Sequence, residues 1–483
     1  MTEYDETYYE KLMDGLEAIE INLSICKGMI DFRIDASTYK KDYVRTEKIL
    51  KSLNVFSIED EMKSIQNFGA YSLCNDIVFS DYGVPFLMTQ NIRHNYIDWS
   101  NIRYIDKASH NMLHKSHCKK GQVLVTMAGE YLGRAAVYDQ DFVCSSNQAI
   151  AKVTLKDGVA PYYVATFLNS RYGQNQINRL KTVTGQPNIN MALIKSLVIP
   201  HVSERFSKVI EKIVISSNMM FQQGKDYYQE AEQLLIDTLG LEDFNPKTEK
   251  YSIKTLKKSF GDTGRLDAEF YQSYYEEFEQ RIKSNGFVTA SEICSLINYG
   301  TVPTSLYTED GSGIPYIKGM NVKNVEVQSD NLDRITNTGK LPEKFYTKKG
   351  DIIISQMGTV ADCGVVEETQ ENWLFASFTI RLRLKDFHAY NPYFIGMYIQ
   401  SLAKKYYFHR YIAQASVRQN TDLPTVNNLF IPIVDKNIQN VIADKIKESK
   451  QRKKKGSMLL NKAVNLVEIA IEQGEDVALK LYE

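Results

Sequence analysis

The segment HNMLHKSHC (110–118) brings together four side chains that could bind a metal ion. His110, His114, His117 and Cys118 supply imidazole and thiolate groups, the ligands that Zn²⁺ prefers. Their spacing matches no known zinc finger, and the second half of the chain contains nothing similar. The sequence therefore favours a loop that is solvated or lies on nucleic acid, where protonated histidines would donate to phosphates, and predicts no metal site.

Motifs for three kinds of nucleic-acid enzyme are missing from the sequence. An adenine methyltransferase needs a [DN]PP[YF] motif, and NPYF (391–394) lacks the second proline, as does its counterpart APYY (160–163). No GxxxxGK[ST] loop is present for an ATP-driven motor, and no paired acidic-lysine nuclease motif occurs. We therefore expect a chain that is not an enzyme and binds no cofactor.

The composition is that of a globular protein with more than one domain. The chain has 483 residues, of which 43% are hydrophobic and 24% charged. The polar start MTEYDETYYE (1–10) argues against a secretory signal, and no apolar run approaches the roughly 18 residues of a membrane span. Six cysteines without a CxxC pair predict reduced thiols in the cytoplasm. Because the net charge is −1, any positive charge that binds DNA must be local.

The elements that would position these residues occur twice. RIDASTY (33–39) recurs as RLDAEFY (265–271), and further matches follow at shifts of 229 to 232 residues. They pair GVPF with GIPY, KKGQVLVTMAG with KKGDIIISQMG, PYYVATFLNS with PYFIGMYIQS, and GQPNINMALIKSLVIP with VRQNTDLPTVNNLFIP. A repeated order of this length predicts two domains with one fold.

Each copy is predicted to be a mixed α+β domain of about 170 residues. Short β-branched runs after Lys-Lys-Gly turns predict strands, and so do the runs that end in Ile-Pro. Segments with helical spacing and an early proline predict helices. The strands are expected at QVLVTM (122–127), DIIISQM (351–357), LVIP (197–200) and LFIP (429–432), and the helices at 161–170 and 392–401.

A long helix is predicted after each copy. Between Ser203 and Leu241 there is no proline, and apolar residues recur every seven positions, as in a coiled coil: Phe206, Ile213, Met220, Tyr227, Leu234 and Leu241. The other side of the seam carries small residues that recur in both copies: Ile210, Ser217, Gly224 and Ala231, with Ile442, Ser449, Gly456 and Ala463. A glycine inside a helix costs about 1 kcal/mol relative to alanine, so its repetition indicates close approach of two helices. We predict an antiparallel pair about a pseudo-twofold axis, with Gly224 and Gly456 near the axis.

The basic run KESKQRKKKG (447–456) lies within the second predicted long helix. Such a run is most often a solvated helical face. Contact with phosphates or docking on an acidic partner is the functional alternative.

The two copies differ between the matched segments. Residues 93–118 are basic and rich in histidine, whereas the corresponding residues 323–347 are mixed in charge and lack histidine. One scaffold with two different surfaces indicates a molecule that recognises two different targets.

The ordered motifs resemble those of the specificity subunit of type I restriction–modification systems. The motifs are R-[IL]-D-A-x-x-Y, G-[VI]-P-[FY], K-K-G-[DQ]-[IV]-[IL], P-Y, a polar loop that runs into Ile-Pro, and a long helix. The motifs occur in both copies and together cover almost the whole chain. The second polar loop departs from the first, since it reads VRQNTDLP where the first reads GQPNINMA, so base contacts need not be shared.

The resemblance implies two target recognition domains in pseudo-twofold arrangement, separated by an antiparallel pair of long helices. It divides the chain into a lead-in segment (1–32), recognition domain 1 (33–201), a spacer helix (202–250), recognition domain 2 (251–433) and a second spacer helix (434–483). Each domain would read one half of an asymmetric bipartite site in double-stranded DNA. The partners implied are two modification subunits, which use S-adenosylmethionine, and restriction (motor–nuclease) subunits.

The resemblance also points to residues that contact DNA, in the loops after the Lys-Lys-Gly strands, in the polar loops and in the variable segments. Arginine suits guanine, and asparagine or glutamine suits adenine. The candidates are Arg93, Arg103, Tyr131, Arg134, Thr184, Gln186 and Asn188 in the first copy, and Lys323, Arg334, Gln356, Thr359, Arg418, Gln419 and Asn420 in the second. The alternative for Asn188, Asn190 and Asn420 is that they cap turns.

Two other functions are compatible with the sequence. One is the recognition subunit of a related multi-subunit system that cuts beside its bipartite site. The other is a scaffold whose two α+β domains bind protein rather than DNA.

Overall fold

The computed structural model describes residues 15–17, 19–29, 32–69, 75, 77–182, 185–302, 307–308, 310–330, 332–336, 341–412 and 420–482. The chain forms two compact units. Unit 1 contains Met1–Phe221 and Lys454–Glu483, and unit 2 contains Gln222–Lys453. Among the described helices, none has the length and apolar character that a bilayer span requires.

Unit 1 contains ten described strands in three sheets. They are β1 (Val55–Ser57), β2 (Met62–Gln66), β3 (Phe79–Ser80), β4 (Val84–Leu87), β5 (Arg103–Ile105), β6 (Val123–Thr126), β7 (Ala135–Val137), β8 (Ser145–Ser146), β9 (Ile150–Leu155) and β10 (Val198–Pro200). The sheet orders are β2-β9-β6-β7, β3-β5-β4-β8 and β1-β10.

Unit 2 repeats this topology. Its described strands are β11 (Phe287–Thr289), β12 (Cys294–Tyr299), β13 (Tyr307–Thr308), β14 (Ile314–Ile317), β15 (Val322–Lys323), β16 (Val325–Val327), β17 (Asp333–Ile335), β18 (Ile352–Ser355), β19 (Cys363–Val365), β20 (Leu374–Phe375), β21 (Thr379–Leu384) and β22 (Phe430–Pro432). The orders β12-β21-β18-β19, β13-β17-β14-β20 and β11-β22 match those of unit 1, and β16 and β15 extend the first sheet. The predicted α+β fold and its duplication are therefore confirmed.

The described α-helices include the two long ones. The first long helix is Glu204–Thr238 and the second is Lys436–Gln473. The predicted helix over 392–401 begins as an α-helix and continues as a π-helix over Ile399–Phe408. The shorter α-helices are Leu23–Gly28, Lys41–Lys51, Ile58–Glu61, Lys107–Met112, Pro161–Asn169, Arg171–Leu180, Met191–Lys195, Ser273–Ser284, Ala290–Ile293, Pro392–Tyr398, His409–Tyr411, Leu423–Asn427 and Glu475–Tyr482.

The repeated heptapeptide forms an equivalent set of hydrogen bonds in each domain. In unit 1 the Arg33 guanidinium donates to both oxygens of Asp35, at 2.7 and 2.9 Å, and to the Lys181 carbonyl at 2.7 Å. The Tyr39 hydroxyl donates to the Arg33 carbonyl at 2.6 Å. The guanidinium holds the pKa of Asp35 well below its usual range. This network explains why the repeat keeps Arg, Asp and Tyr among its four identical residues.

The same bonds recur in unit 2. Arg265 donates to both oxygens of Asp267, at 2.7 and 2.6 Å, and the Tyr271 hydroxyl donates to the Arg265 carbonyl at 2.9 Å. Arg265 also reaches the Ile412 carbonyl at 3.3 Å.

Small residues carry the contact between the long helices within each unit. In unit 1 Ser217 and Ala463 are completely buried, and Gly456 is buried against the Phe221 ring. In unit 2 the buried residues include Ala231 and Ile442, and Gly224 lies against the backbone of Ser449. Ile210 and Ser449 are buried too, so all eight predicted small-seam residues lie in the interior of a unit.

Candidate nucleic-acid interface

The loop after strand β6 pairs with the polar loop of unit 1. Ala128 and Asn188 form an antiparallel bridge, and the Ile189 N–H donates to the Met127 carbonyl at 2.8 Å. The Asn190 side chain accepts from the Leu193 N–H at 2.9 Å and thereby caps the helix that begins at Met191. The cap keeps Asn190 occupied, whereas Gln186 and Asn188 remain exposed.

Unit 2 builds the same pair of loops after strand β18. Met357 and Asn420 form the corresponding antiparallel bridge, and the Thr421 N–H donates to the Gln356 carbonyl at 3.1 Å. The helix that follows is capped by Asp422, which accepts from the Thr425 N–H at 2.9 Å. Two predicted residues, Gln356 and Asn420, are thus brought to one place.

Three predicted residues of unit 1 form one cluster around an aromatic ring. The guanidinium carbon of Arg134 lies 4.4 Å from the centre of the Tyr131 ring, and that of Arg93 lies 5.8 Å from it. A 3.5 Å ion pair joins Arg93 to Asp98. Within the described part of the chain, no carboxylate forms an ion pair with Arg134.

The cluster holds positive charge that is only partly neutralised. Burial lowers the pKa of Arg134, and the neighbouring Arg93 lowers it further, although arginine stays charged. Burial and the same two arginines also lower the pKa of His94. The Arg93 Nε is buried without a hydrogen-bond partner among the described residues. An anion such as a phosphate would supply the missing acceptor.

A cavity of about 620 Å³ opens beside this cluster. It contains the predicted residues Tyr131, Gln186 and Asn188, so the structure brings three candidates to one concave surface. Asn147 and Gln148, which sequence reasoning missed, also line it. Both lie in SSNQA (145–149), between two strands, where the copies do not align by motif. SSNQA and LFASF (374–378) differ at all five positions, so the sequence repeat gives no signal for these two residues.

Four other candidates lie apart from the paired loops or make local contacts. Arg103 is exposed on β5 and lies over the Phe79 ring at 5.3 Å. In unit 2 the Arg334 guanidinium donates to the Gly313 carbonyl at 3.0 Å, and Lys323 and Thr359 are exposed. The candidates Thr184, Arg418 and Gln419 lie outside the described residues.

The histidine cluster is only partly a solvated loop. His114 is exposed as expected, but the expectation is wrong for His110 and Cys118, which are buried. The His110 Nδ1 lies 2.8 Å from the Ser145 hydroxyl, and its ring stacks on His117 at 3.9 Å. Burial lowers the pKa of His110. No group of three or more metal-ligating side chains occurs among the described residues.

The basic run of the second long helix is largely engaged within unit 2. Lys450 pairs with Glu367, Arg452 pairs with Glu448 at 3.4 Å, and Lys453 lies over the Tyr228 ring at 5.4 Å. Lys454 and Lys455 are exposed.

Comparison with known proteins finds a family match within the second copy. Residues 283–455 match the family model of the type I restriction modification DNA specificity domain, which confirms the resemblance there. The chain is similar to the S subunit of a type I restriction-modification system from M. genitalium, with 13% identity, coverage of 87% of this chain and 96% of that one, and a TM-score of 0.42. It is also similar to the HsdS subunit from Thermoanaerobacter tengcongensis, with 12% identity, coverage of 87% and 97%, and a TM-score of 0.29. No curated protein matches the chain significantly.

Proposed function

We propose that this chain, which carries a type I restriction–modification DNA specificity domain at residues 283–455, is the DNA-recognition subunit of such a complex. Each copy reads one half of an asymmetric bipartite site. The long helices set the gap between the halves and dock two methyltransferase subunits. The chain itself is not catalytic, and S-adenosylmethionine and the motor–nuclease activity belong to its partners in the cytoplasm.

The observation that carries this proposal is a shared backbone with unlike side chains. The Thr126 N–H donates to the Arg134 carbonyl at 3.0 Å, and the Ser355 N–H donates to the Asp362 carbonyl at 2.7 Å. These bonds are equivalent in the two units, yet one position holds a cation and the other an anion. Two unlike DNA half-sites require two domains of one fold whose side chains differ in this way.

The charged side chains at these two positions, Asp362 and Arg134, have different partners. Asp362 is buried and pairs with Lys404 at 2.5 Å and with the Gln400 amide at 2.7 Å. Arg134 has no such partner among the described residues and faces Tyr131. Unit 1 therefore offers a cation without a carboxylate partner among the described residues where unit 2 offers a neutral pair, so we expect the two domains to bind DNA differently.

We assign DNA contact to the polar residues that the sequence predicts in the paired loops and the variable segments. Arginines and Lys323 contact phosphates or guanine, and the carboxamides contact base edges. The set comprises Arg93, Arg103, Tyr131, Arg134, Thr184, Gln186, Asn188, Lys323, Arg334, Gln356, Thr359, Arg418, Gln419 and Asn420.

Selection from randomised duplexes tests the function. The full chain is prepared with its methyltransferase subunits, and the bound duplexes are sequenced after several rounds. We expect enrichment of a split motif with two unlike halves and one fixed gap. If no split motif is enriched, the chain is a protein-binding scaffold and the proposal is wrong.

A length change in the helices tests the spacer. One helical turn is inserted within 215–230, together with a matched turn within 447–462, so that the facing positions stay in register. We expect the gap between half-sites to change while both half-site sequences persist. A change in the half-site sequences at a constant gap would contradict the spacer role.

A further inference from the structure

Five carboxamide side chains line the cavity of unit 1. They are Asn147, Gln148, Gln186, Asn188 and Asn190. Asn190 is occupied by its helix cap, but Gln148, Gln186 and Asn188 are exposed at the paired loops. A carboxamide offers one acceptor and two donors in one plane, so this surface is suited to read a planar polar edge.

Asn147 is the buried member of this set. Its side chain lines the cavity although the residue is only 7% exposed. Its backbone N–H donates to the Leu87 carbonyl at 2.9 Å, which fixes the residue on the sheet. Its Oδ1 has no hydrogen-bond partner among the residues that the structure describes. A buried acceptor without a hydrogen-bond partner costs free energy. A ligand that donates a hydrogen bond to this oxygen would remove that cost, which would favour its binding.

Unit 2 shows that the fold does not require a carboxamide at this position. The Ala376 N–H donates to the Ile317 carbonyl at 2.9 Å, in the same way as Asn147 to Leu87. Two residues further along each chain segment, the backbone bonds correspond again. The Met127 N–H donates to the Ala149 carbonyl at 2.7 Å, and the Gln356 N–H donates to the Phe378 carbonyl at 3.1 Å. The backbones correspond, but Asn147 and Gln148 are replaced by Ala376 and Ser377. The shared backbone therefore forms without carboxamides at these two positions.

A glycine lines the cavity beside Gln186. Gly129 has a φ of +82°, and a Cβ there would lie 2.9 Å from the Gln186 Nε2. A side chain at this position would push Gln186 aside, so the turn leaves the amides free to meet a ligand.

The chemistry of Asn147 selects one base edge. In the major groove adenine presents a donor at N6 beside an acceptor at N7, which is the complement of a carboxamide. Guanine presents two acceptors there, and thymine presents an acceptor and a methyl group, so neither supplies the donor that Oδ1 lacks. Cytosine supplies a donor without the adjacent acceptor.

We infer that Asn147, assisted by Gln148, is a specificity-determining residue that reads an adenine in the half-site of unit 1. This inference rests on the proposed function and adds the base and the residues that select it. Unit 2, with Ala376 and Ser377, has no equivalent adenine contact at this place.

Three variants in the complete complex test the inference by selection from randomised duplexes. Asn147→Ala should relax discrimination by about 10-fold at a single base pair that is adenine in the wild-type motif. Asn147→Asp, which keeps only acceptors, should shift the preference there towards cytosine. Gln148→Ala, at an exposed site, should weaken discrimination at that pair or its neighbour. The other half-site should stay unchanged, which also shows that the complex is folded.

Asn54→Ala is the matched control, because Asn54 is an exposed asparagine of the same unit outside the cavity. It should leave every position of the motif unchanged. If the wild-type complex enriches a split motif but all three cavity variants leave every base preference intact, the inference is overturned and the proposed function stands. If the wild-type complex enriches no motif, both fail.

Discussion

The Ser217 hydroxyl donates a hydrogen bond to the Gly456 carbonyl at 2.8 Å, across 239 residues of sequence. In unit 2 the Ser449 hydroxyl donates to the Gly224 carbonyl at 2.5 Å. The two bonds are equivalent in the two copies, since Ser449 and Gly456 follow Ser217 and Gly224 by 232 residues each. A serine side chain reaches the backbone of a facing helix only where the two backbones lie close, and the glycine opposite makes that approach possible.

The two glycines should nevertheless respond differently to substitution. A Cβ on Gly224 would lie 2.9 Å from the Ser449 carbonyl oxygen, which is backbone and cannot move alone. The atoms nearest to a Cβ on Gly456 would be those of the Phe221 ring, at 3.2 Å. Alanine gains about 1 kcal/mol of helix propensity at either site. We expect Gly224→Ala to lower the free energy of unfolding by about 1–3 kcal/mol and Gly456→Ala to change it by less than about 1 kcal/mol.

Urea denaturation of the two variants measures this difference through the midpoint at constant slope. Ser216→Ala, on the same helix, serves as the control for a substitution beside the seam. Equal losses for both glycine variants would contradict the close approach at Gly224.

A buried ion pair of unit 2 should be replaceable by the neutral pair of unit 1. Arg383 donates twice to Asp351, both at 2.7 Å, and the Asp351 side chain is 1% exposed. The equivalent positions in unit 1 are Gln122 and Thr154, whose side chains form a neutral hydrogen bond of 2.9 Å. Asp351→Gln alone removes the carboxylate from Arg383 and from the buried Arg381, which lies 3.5 Å from Asp351, so we expect a loss of about 3–5 kcal/mol.

The double variant Asp351→Gln, Arg383→Thr should recover a large part of that loss, because it copies the pair of unit 1. Thermal or urea unfolding of both single variants and the double variant gives the coupling energy. Additive losses would show that the two positions are not energetically linked.

Lys152 should make the stability of unit 1 depend on alkaline pH. Its side chain is completely buried, and the Nζ donates to the Asn67 carbonyl at 2.8 Å and to the Ser146 hydroxyl at 3.0 Å. Burial lowers its pKa to about 8 in the folded chain. Between about pH 8 and 10.5 the unfolded chain holds a proton that the folded chain has lost, so this lysine adds stability as the pH rises.

Lys152→Met removes that contribution. The wild type should gain about 3 kcal/mol of unfolding free energy over the Lys152→Met variant between pH 8 and 10.5, since each pKa unit corresponds to about 1.4 kcal/mol. Urea midpoints across this range provide the measurement, with Lys63→Met as the exposed control. Parallel pH profiles for Lys152→Met and the wild type would contradict a lowered lysine pKa.

The repeat made the strands and the long helices predictable, because motifs such as Lys-Lys-Gly and Ile-Pro set local backbone geometry. Gly121 and Gly350, for example, adopt φ angles of +85° and +83° at the turns before β6 and β18. The cavity residues were not predictable in this way. Asn147 lies where the two copies share a backbone and no letters, and its orphan acceptor is a property of packing. The burial of His110 likewise depends on Ser145, which is 35 residues away.

The arginine cluster of unit 1 should determine part of the salt dependence of DNA binding. Arg93 and Arg134 share the Tyr131 ring, and Arg134 forms no ion pair with a described carboxylate. If each contacts a phosphate, Arg93→Ala and Arg134→Ala should weaken binding to all sequences alike and reduce the slope of log affinity against log salt by about 1 each. Arg171→Ala is the matched control, because Arg171 pairs with Glu468 within the same unit. A loss confined to one base pair, with the slope intact, would instead identify a base contact, since only phosphate neutralisation releases counterions.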